Sequence, residues 1–165
     1  MKEWSLRKEA PSSKRLEARA TRLKIYIKNE AGLDRAYRDR AKKLLSLSLK
    51  ELHLDKAELS VLFIGDSGIQ ALNRQYLGKN RPTDVLSFPM DDPSVIGDIV
   101  ISVDRAREQS KEFGVSLNEE LARLLVHGLL HLLGYDHVKG GRQAKKMRDR
   151  EEGLLRSLVK TIAKA

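Results

Sequence analysis

Residues 121–132, LARLLVHGLLHL, constrain the fold more than any other part of the chain. Leu121, Leu124, Leu125, Val126, Leu129, Leu130 and Leu132 leave almost no polar face at helical spacing, so this helix must be buried at the centre of a domain. Ser116 and Glu119 stand in the S-x-x-E order of a capping box that opens it. Gly134 lets the chain leave it in a left-handed turn. Two histidines, His127 and His131, interrupt the apolar surface four residues apart, so both imidazoles project from one side. A ring nitrogen left unpaired in such a helix costs about 1–3 kcal/mol. The pair therefore calls for a shared partner.

A central helix needs layers around it, and the rest of the chain supplies them. Leu23–Ile27 alternates apolar and polar residues, as a strand does. Tyr37, Ala41, Leu44, Leu45, Ser48 and Leu52 predict a helix over 34–51. A second strand is expected at 59–64 and a helix at 67–77. Val85–Phe88 and Ile99–Ile101 read as short buried strands around a turn-rich loop, 89–94. Val103, Ala106, Ser110 and Phe113 mark a helix capped by Gly114, and a basic helix is expected over 140–163. The order β-α-β-α-β-β-α-α-α describes one α/β (α+β) domain over 22–165, with a small mixed four-stranded sheet and about five helices. A charged extension, 1–21, precedes it.

Past Gly134, His137 can swing back toward the first two histidines. Three of the chain's four histidines thus fall within eleven residues. Three imidazole ligands leave a tetrahedral position open for water, the form of a catalytic zinc site. The chain has no cysteine, so thiolate sites are excluded. Zinc is the first choice, one ion per chain, with nickel and cobalt fitting the same donors. Asp136 is either the acceptor of a ligand histidine's second N–H or a plain turn residue. His53 is isolated near a helix end and reads as a surface histidine.

The spacing H-x₃-H-x₅-H is that of metzincin peptidases, but Gly128 stands where those enzymes carry the glutamate that takes a proton from zinc-bound water. Met147, in a predicted helix among charges, is a poor Met-turn. Two readings of Gly128 stand. It leaves room beside the metal for an anionic phosphodiester, or it lets another backbone pack closely on the helix. The formal charge of +9 and pI near 9.8 favour a polyanionic partner. With no apolar run of membrane-spanning length and no apolar leader, a cytoplasmic location is expected.

HGLLHLLGYDH, residues 127–137, resembles the H-G-x-L-H-L-x-G-Y-D-H signature of the YbeY family, metal-dependent endoribonucleases specific for single strands. LNRQYLGKNRPTDVLSFP, 72–89, resembles a second block of that family, and GDIVIS, 97–102, a third. The resemblance covers about residues 22–160. It implies a metzincin-like central helix holding zinc through His127, His131 and His137, with His127 catalytically essential. It also implies work on the 3′ end of 16S rRNA and in ribosome quality control. The implied partners are the small ribosomal subunit, its protein S11 and the GTPase Era. One departure matters most: Leu77 stands where the family carries an arginine regarded as contacting RNA phosphate. Arg74, Lys79 and Arg81 remain nearby as substitutes or as solvated surface residues. A second departure is the basic run KGGRQAKKMRDR after the third histidine, either an RNA-binding face or the solvated side of a helix. Asp84 and Asp98, at strand edges in the matched blocks, read as turn or cap residues. Against the nuclease stand a ribosome-assembly factor with structural zinc, favoured by Leu77, and a peptidase, disfavoured by Gly128.

Overall fold

The structure, a computed structural model, describes residues 22–135 and 140–162. The expected extension 1–21, the expected metal ligand His137 and its neighbour Asp136 lie outside the described residues. Strands are β1 (Lys24–Asn29), β2 (Glu58–Ile64), β3 (Val85–Asp92) and β4 (Val95–Ser102). Helices are α1 (Arg35–Glu51), α2 (Asp66–Leu77), α3 (Val103–Phe113), α4 (Leu117–Leu132) and α5 (Gly141–Ile162). Their order is the one expected from the sequence.

The sheet runs β1-β2-β4-β3, with β1, β2 and β4 mutually parallel and β3 antiparallel on the edge beside β4. The third and fourth strands differ from expectation. Residues 89–92, read as loop, belong to β3, and the turn shrinks to the bend around Ser94. There Asp92 Oδ1 accepts from the Ser94 backbone N–H and hydroxyl, each at 2.8 Å. Pro89 suits an edge strand because it has no N–H to offer to a second neighbour. A register shift between Pro89 and Asp92 absorbs the irregularity.

The two faces of the sheet follow its two-residue period. Leu59, Val61, Phe63, Ile99 and Ile101 turn to one face, where α1, α4 and α5 cover them with Leu45, Leu49, Leu124, Leu129, Met147 and Leu154. Leu62, Leu86, Phe88 and Val100 turn to the other, where α2 adds Ile69. Tyr76 closes that side with its ring edge-on to Phe88, centroids 5.5 Å apart.

α4 is the central helix the sequence demands. From Glu120 to Leu132, all side chains but Ala122, Arg123, His127 and His131 are buried. Its capping box is complete: Glu119 N–H donates to Ser116 Oγ at 3.1 Å, and Ser116 N–H donates to the Glu119 carboxylate at 2.7 Å. After Leu132 the chain turns away through Gly134 at φ +92°. His53 is exposed in a left-handed conformation just beyond α1, φ 59°, as a surface residue at a helix end. Among the described residues no helix is long and apolar enough to cross a membrane.

The hydrogen bond from the Ser116 backbone holds the Glu119 carboxyl below its ordinary pKa of 4.5, with the Ser116 side chain adding to the effect. A lowered carboxylate pKa means stabilisation that is complete above the ordinary value and is lost as pH falls through the folded-state value. Ser116→Ala is therefore expected to lower stability by about 0.5–2 kcal/mol. Glu119→Gln is expected to be less stable than wild type at neutral pH, with a gap that narrows in acid. Urea unfolding across that range checks both, and a gap that does not change with pH contradicts the charged cap.

Candidate metal centre

Three of the partly exposed positions of α4 fall on one side of the helix. Arg123, His127 and His131 stand at i, i+4 and i+8, so successive side chains lie about one turn apart. The leucines between them are buried in the core, which fixes the stripe's direction. The His127 and His131 rings stand 4.8 Å apart between centroids, at 69° to each other. They form the floor of a cavity of about 520 Å³. Thr83, Asp84 and Ser87 give it a polar wall, and Val85 and Leu77 an apolar one.

His127 has a partner that binds it from another helix. Its Nδ1 lies 3.2 Å from Oε2 of Glu151 on α5, and both side chains are largely buried. A carboxylate accepts only, so it favours the tautomer with the proton on Nδ1 and the lone pair on Nε2. A carboxylate behind an imidazole is also the usual second partner of a metal-binding histidine. Two neighbouring imidazoles, one backed by a carboxylate, in a cavity with mixed walls, suit zinc. Among the described residues no cluster of three His, Asp or Glu side chains is gathered for a metal. The third imidazole expected from the sequence, His137, is outside them.

Other expected residues fall into place with less chemistry. Asp84 caps the start of β3: its Oδ1 accepts from Val85 N–H at 2.8 Å, and its Oδ2 accepts from Gln109 Nε2 at 3.2 Å. Asp98 does not: it is no turn or cap residue but lies wholly buried inside β4, paired with Ser60 on one side and Phe88 on the other. Arg74, Lys79 and Arg81 are exposed on the last turn of α2 and the connection after it, and none lines the cavity. Met147 is buried on the core face of α5, within a helix and not in a turn.

Gly128 corrects one expectation. It does not open space for a phosphodiester. A Cβ there would stand 2.9 Å from Ile99 Cγ2, 3.2 Å from Val85 Cγ2 and 3.3 Å from Ser87 Oγ. The missing side chain lets the helix press against β3 and β4, so the close-packing reading holds, with side chains rather than backbone as the neighbours. Ser87 Oγ donates to the Gly128 carbonyl at 3.0 Å and fastens the contact. A glutamate at this position would have to displace the cavity's own wall.

Two residues of the site escaped the sequence reading. Arg123 carried a signal, four residues before His127 on the same helical side. Glu151 carried another. Ala144, Met147, Leu154 and Leu158 are buried positions of α5, and 151 continues their spacing. A carboxylate on an apolar stripe needs a partner.

Comparison with known proteins extends the picture. A family model described as endoribonuclease YbeY matches residues 24–159. The endoribonuclease YbeY of Aquifex aeolicus is 47% identical over 129 residues, covering 76% of this chain and 86% of the relative. That of Oceanobacillus iheyensis is 49% identical over 133 residues, covering 72% and 86%. The solution structure of TM1509 from Thermotoga maritima is similar with a TM-score of 0.64 at 29% identity, over 82% of this chain and 89% of that one.

The packing of Gly128 predicts an inverted glycine effect. Alanine is favoured over glycine in a helix by about 1 kcal/mol, but overpacking a tight contact costs about 1–3 kcal/mol. Gly128→Ala is expected to destabilise by up to about 2 kcal/mol. Gly153→Ala, on α5 where a Cβ meets nothing within 4 Å, is expected to stabilise. Thermal unfolding of the pair checks this, and stabilisation by both would contradict the contact.

Proposed function

Because this chain belongs to the endoribonuclease YbeY family, we propose that it is a metal-dependent endoribonuclease cleaving single-stranded RNA. Its proposed substrate is the 3′ end of 16S rRNA, in ribosome maturation and quality control in the cytoplasm. The small ribosomal subunit, protein S11 and the GTPase Era are its proposed partners. The observation that carries the reading is the cavity floored by His127 and His131, with Glu151 behind His127.

His127, His131 and, beyond the described residues, His137 would hold one zinc ion. When bound, such an ion supplies polarisation of a phosphoryl oxygen and a water acidic enough to ionise near neutral pH. The chain's own residues do the rest. Glu151 holds the His127 ring in one tautomer and one orientation. Ser87 ties β3 to the helix that carries the histidines, so floor and wall keep their spacing. The apolar wall of Leu77 and Val85 limits the water around a bound phosphodiester, which strengthens every electrostatic contact there. The net charge of +9 draws a polyanion toward the surface before any specific contact forms. His127 acts in this reading as a ligand, with no separate acid–base role.

A second reading is favoured by Leu77. This exposed, uncharged side chain stands on the rim of the cavity. It fits an assembly factor that uses the same fold and a structural zinc to bind RNA with little cleavage.

One assay separates the readings. Zinc-loaded wild type, His127→Ala and Leu77→Arg are incubated with single-stranded rRNA fragments and, as a control, casein. Wild type is expected to cleave RNA and not casein, and His127→Ala is expected to fall to background. Cleavage that appears only in Leu77→Arg would establish the assembly factor. Equal cleavage by His127→Ala and wild type would remove the metal mechanism.

A further inference from the structure

We propose that Arg123 is the substrate-binding cation of this cavity, its outer guanidinium edge taking an oxygen of an RNA phosphate beside the two histidines. The inference rests on the nuclease reading above and adds a residue to it.

Position is the first argument. Arg123 lies one turn before His127 on α4, on the helix's partly exposed side, and lines the same cavity as both histidines. Charge is the second. Among the described residues that line the cavity it is the one lysine or arginine, while Asp84 brings a negative charge and Leu77 none. A site for phosphodiesters needs a cation there, and this side chain is the one in place.

Preorganisation is the third argument. Nε lies 3.2 and 3.1 Å from the two Glu120 carboxylate oxygens, and Nη2 donates to the same carboxylate. Nη2 also reaches Gln109 Oε1 at 3.5 Å, and the guanidinium carbon sits 5.9 Å from the centroid of the Phe113 ring. One edge of the fork is thus anchored. No hydrogen bond among the described residues uses Nη1, so the remaining edge keeps donors for a ligand. An arginine already fixed in its binding rotamer loses little freedom when the phosphate arrives. Its hydrogen bonds to Glu120 raise the guanidinium pKa, against the effect of burial, so it stays charged.

The competing role is structural. Glu120 is almost wholly buried, and Arg123 neutralises it. Lysine separates the two roles. A single ammonium can neutralise Glu120, but when so engaged it has no second edge to offer.

The test measures binding apart from cleavage. Zinc-loaded full-length protein is titrated into a fluorescent single-stranded 2′-O-methyl RNA, which lacks the hydroxyl for internal attack, and into cleavable RNA of the same sequence. Arg123→Lys is expected to keep the wild-type melting temperature and zinc content, yet to bind about tenfold more weakly, with the loss in KM. The double variant Glu120→Gln with Arg123→Met removes the buried pair together, and is expected to show the same loss. It keeps the idea testable should the lysine variant fold poorly. Wild-type affinity in either folded variant would overturn the proposal and leave the nuclease reading intact. A wild type that neither binds nor cleaves would overturn both.

Discussion

The burial of α4 is the constraint on which the rest depends. A helix apolar nearly all round must be enclosed, and from Glu120 to Leu132 the sheet, α1, α3 and α5 cover it except at Ala122 and along one stripe. Whatever polar chemistry the helix carries has to emerge there. Arg123, His127 and His131 occupy that stripe, so the core fixes both the direction and the spacing of the functional side chains. Gly128 sets the distance to the opposite wall. With no side chain, it brings the helix against Ile99, Val85 and Ser87, and β3 becomes the far side of the cavity.

The electrostatics of the site come from neighbouring helices. Glu151 crosses from α5 to His127, and Glu120 lies buried under Arg123. Each carboxylate is nearly out of water and costs free energy unless a cation or N–H answers it. The arrangement spends that cost on orientation. One carboxylate fixes an imidazole, the other a guanidinium, and both of these partners line the cavity. Rigid supports of this kind are what a site for a metal ion and a phosphate requires.

Much of this was legible in the sequence because it rests on local signals. The α4 pattern, the Ser116–Glu119 box and the turn at Gly134 each depend on residues within a few positions of one another. The histidine pair could be placed because i, i+4 geometry is intrinsic to a helix. What escaped is non-local. The contact of Glu151 with His127 joins two helices, and the spacing of α5 showed only that a carboxylate fell on an apolar stripe. Residues 89–92 looked like loop because proline and two aspartates are turn formers, and only their place on a sheet edge makes them strand. Gly128 kept two readings because a sequence motif does not say which face of a helix meets the sheet. Arg74, Lys79 and Arg81 are near Leu77 in sequence, whereas Arg123, far from it in sequence, lines the same cavity.

The α4 histidines, backed by Glu151, are proposed here as a metal site. Calorimetric titration of zinc into the metal-free full-length chain tests it most directly. The account predicts one zinc per wild-type chain, binding weakened about 10–100-fold in Glu151→Ala, and no stoichiometric uptake by His131→Ala. Zinc uptake by His131→Ala with wild-type affinity and stoichiometry would contradict it.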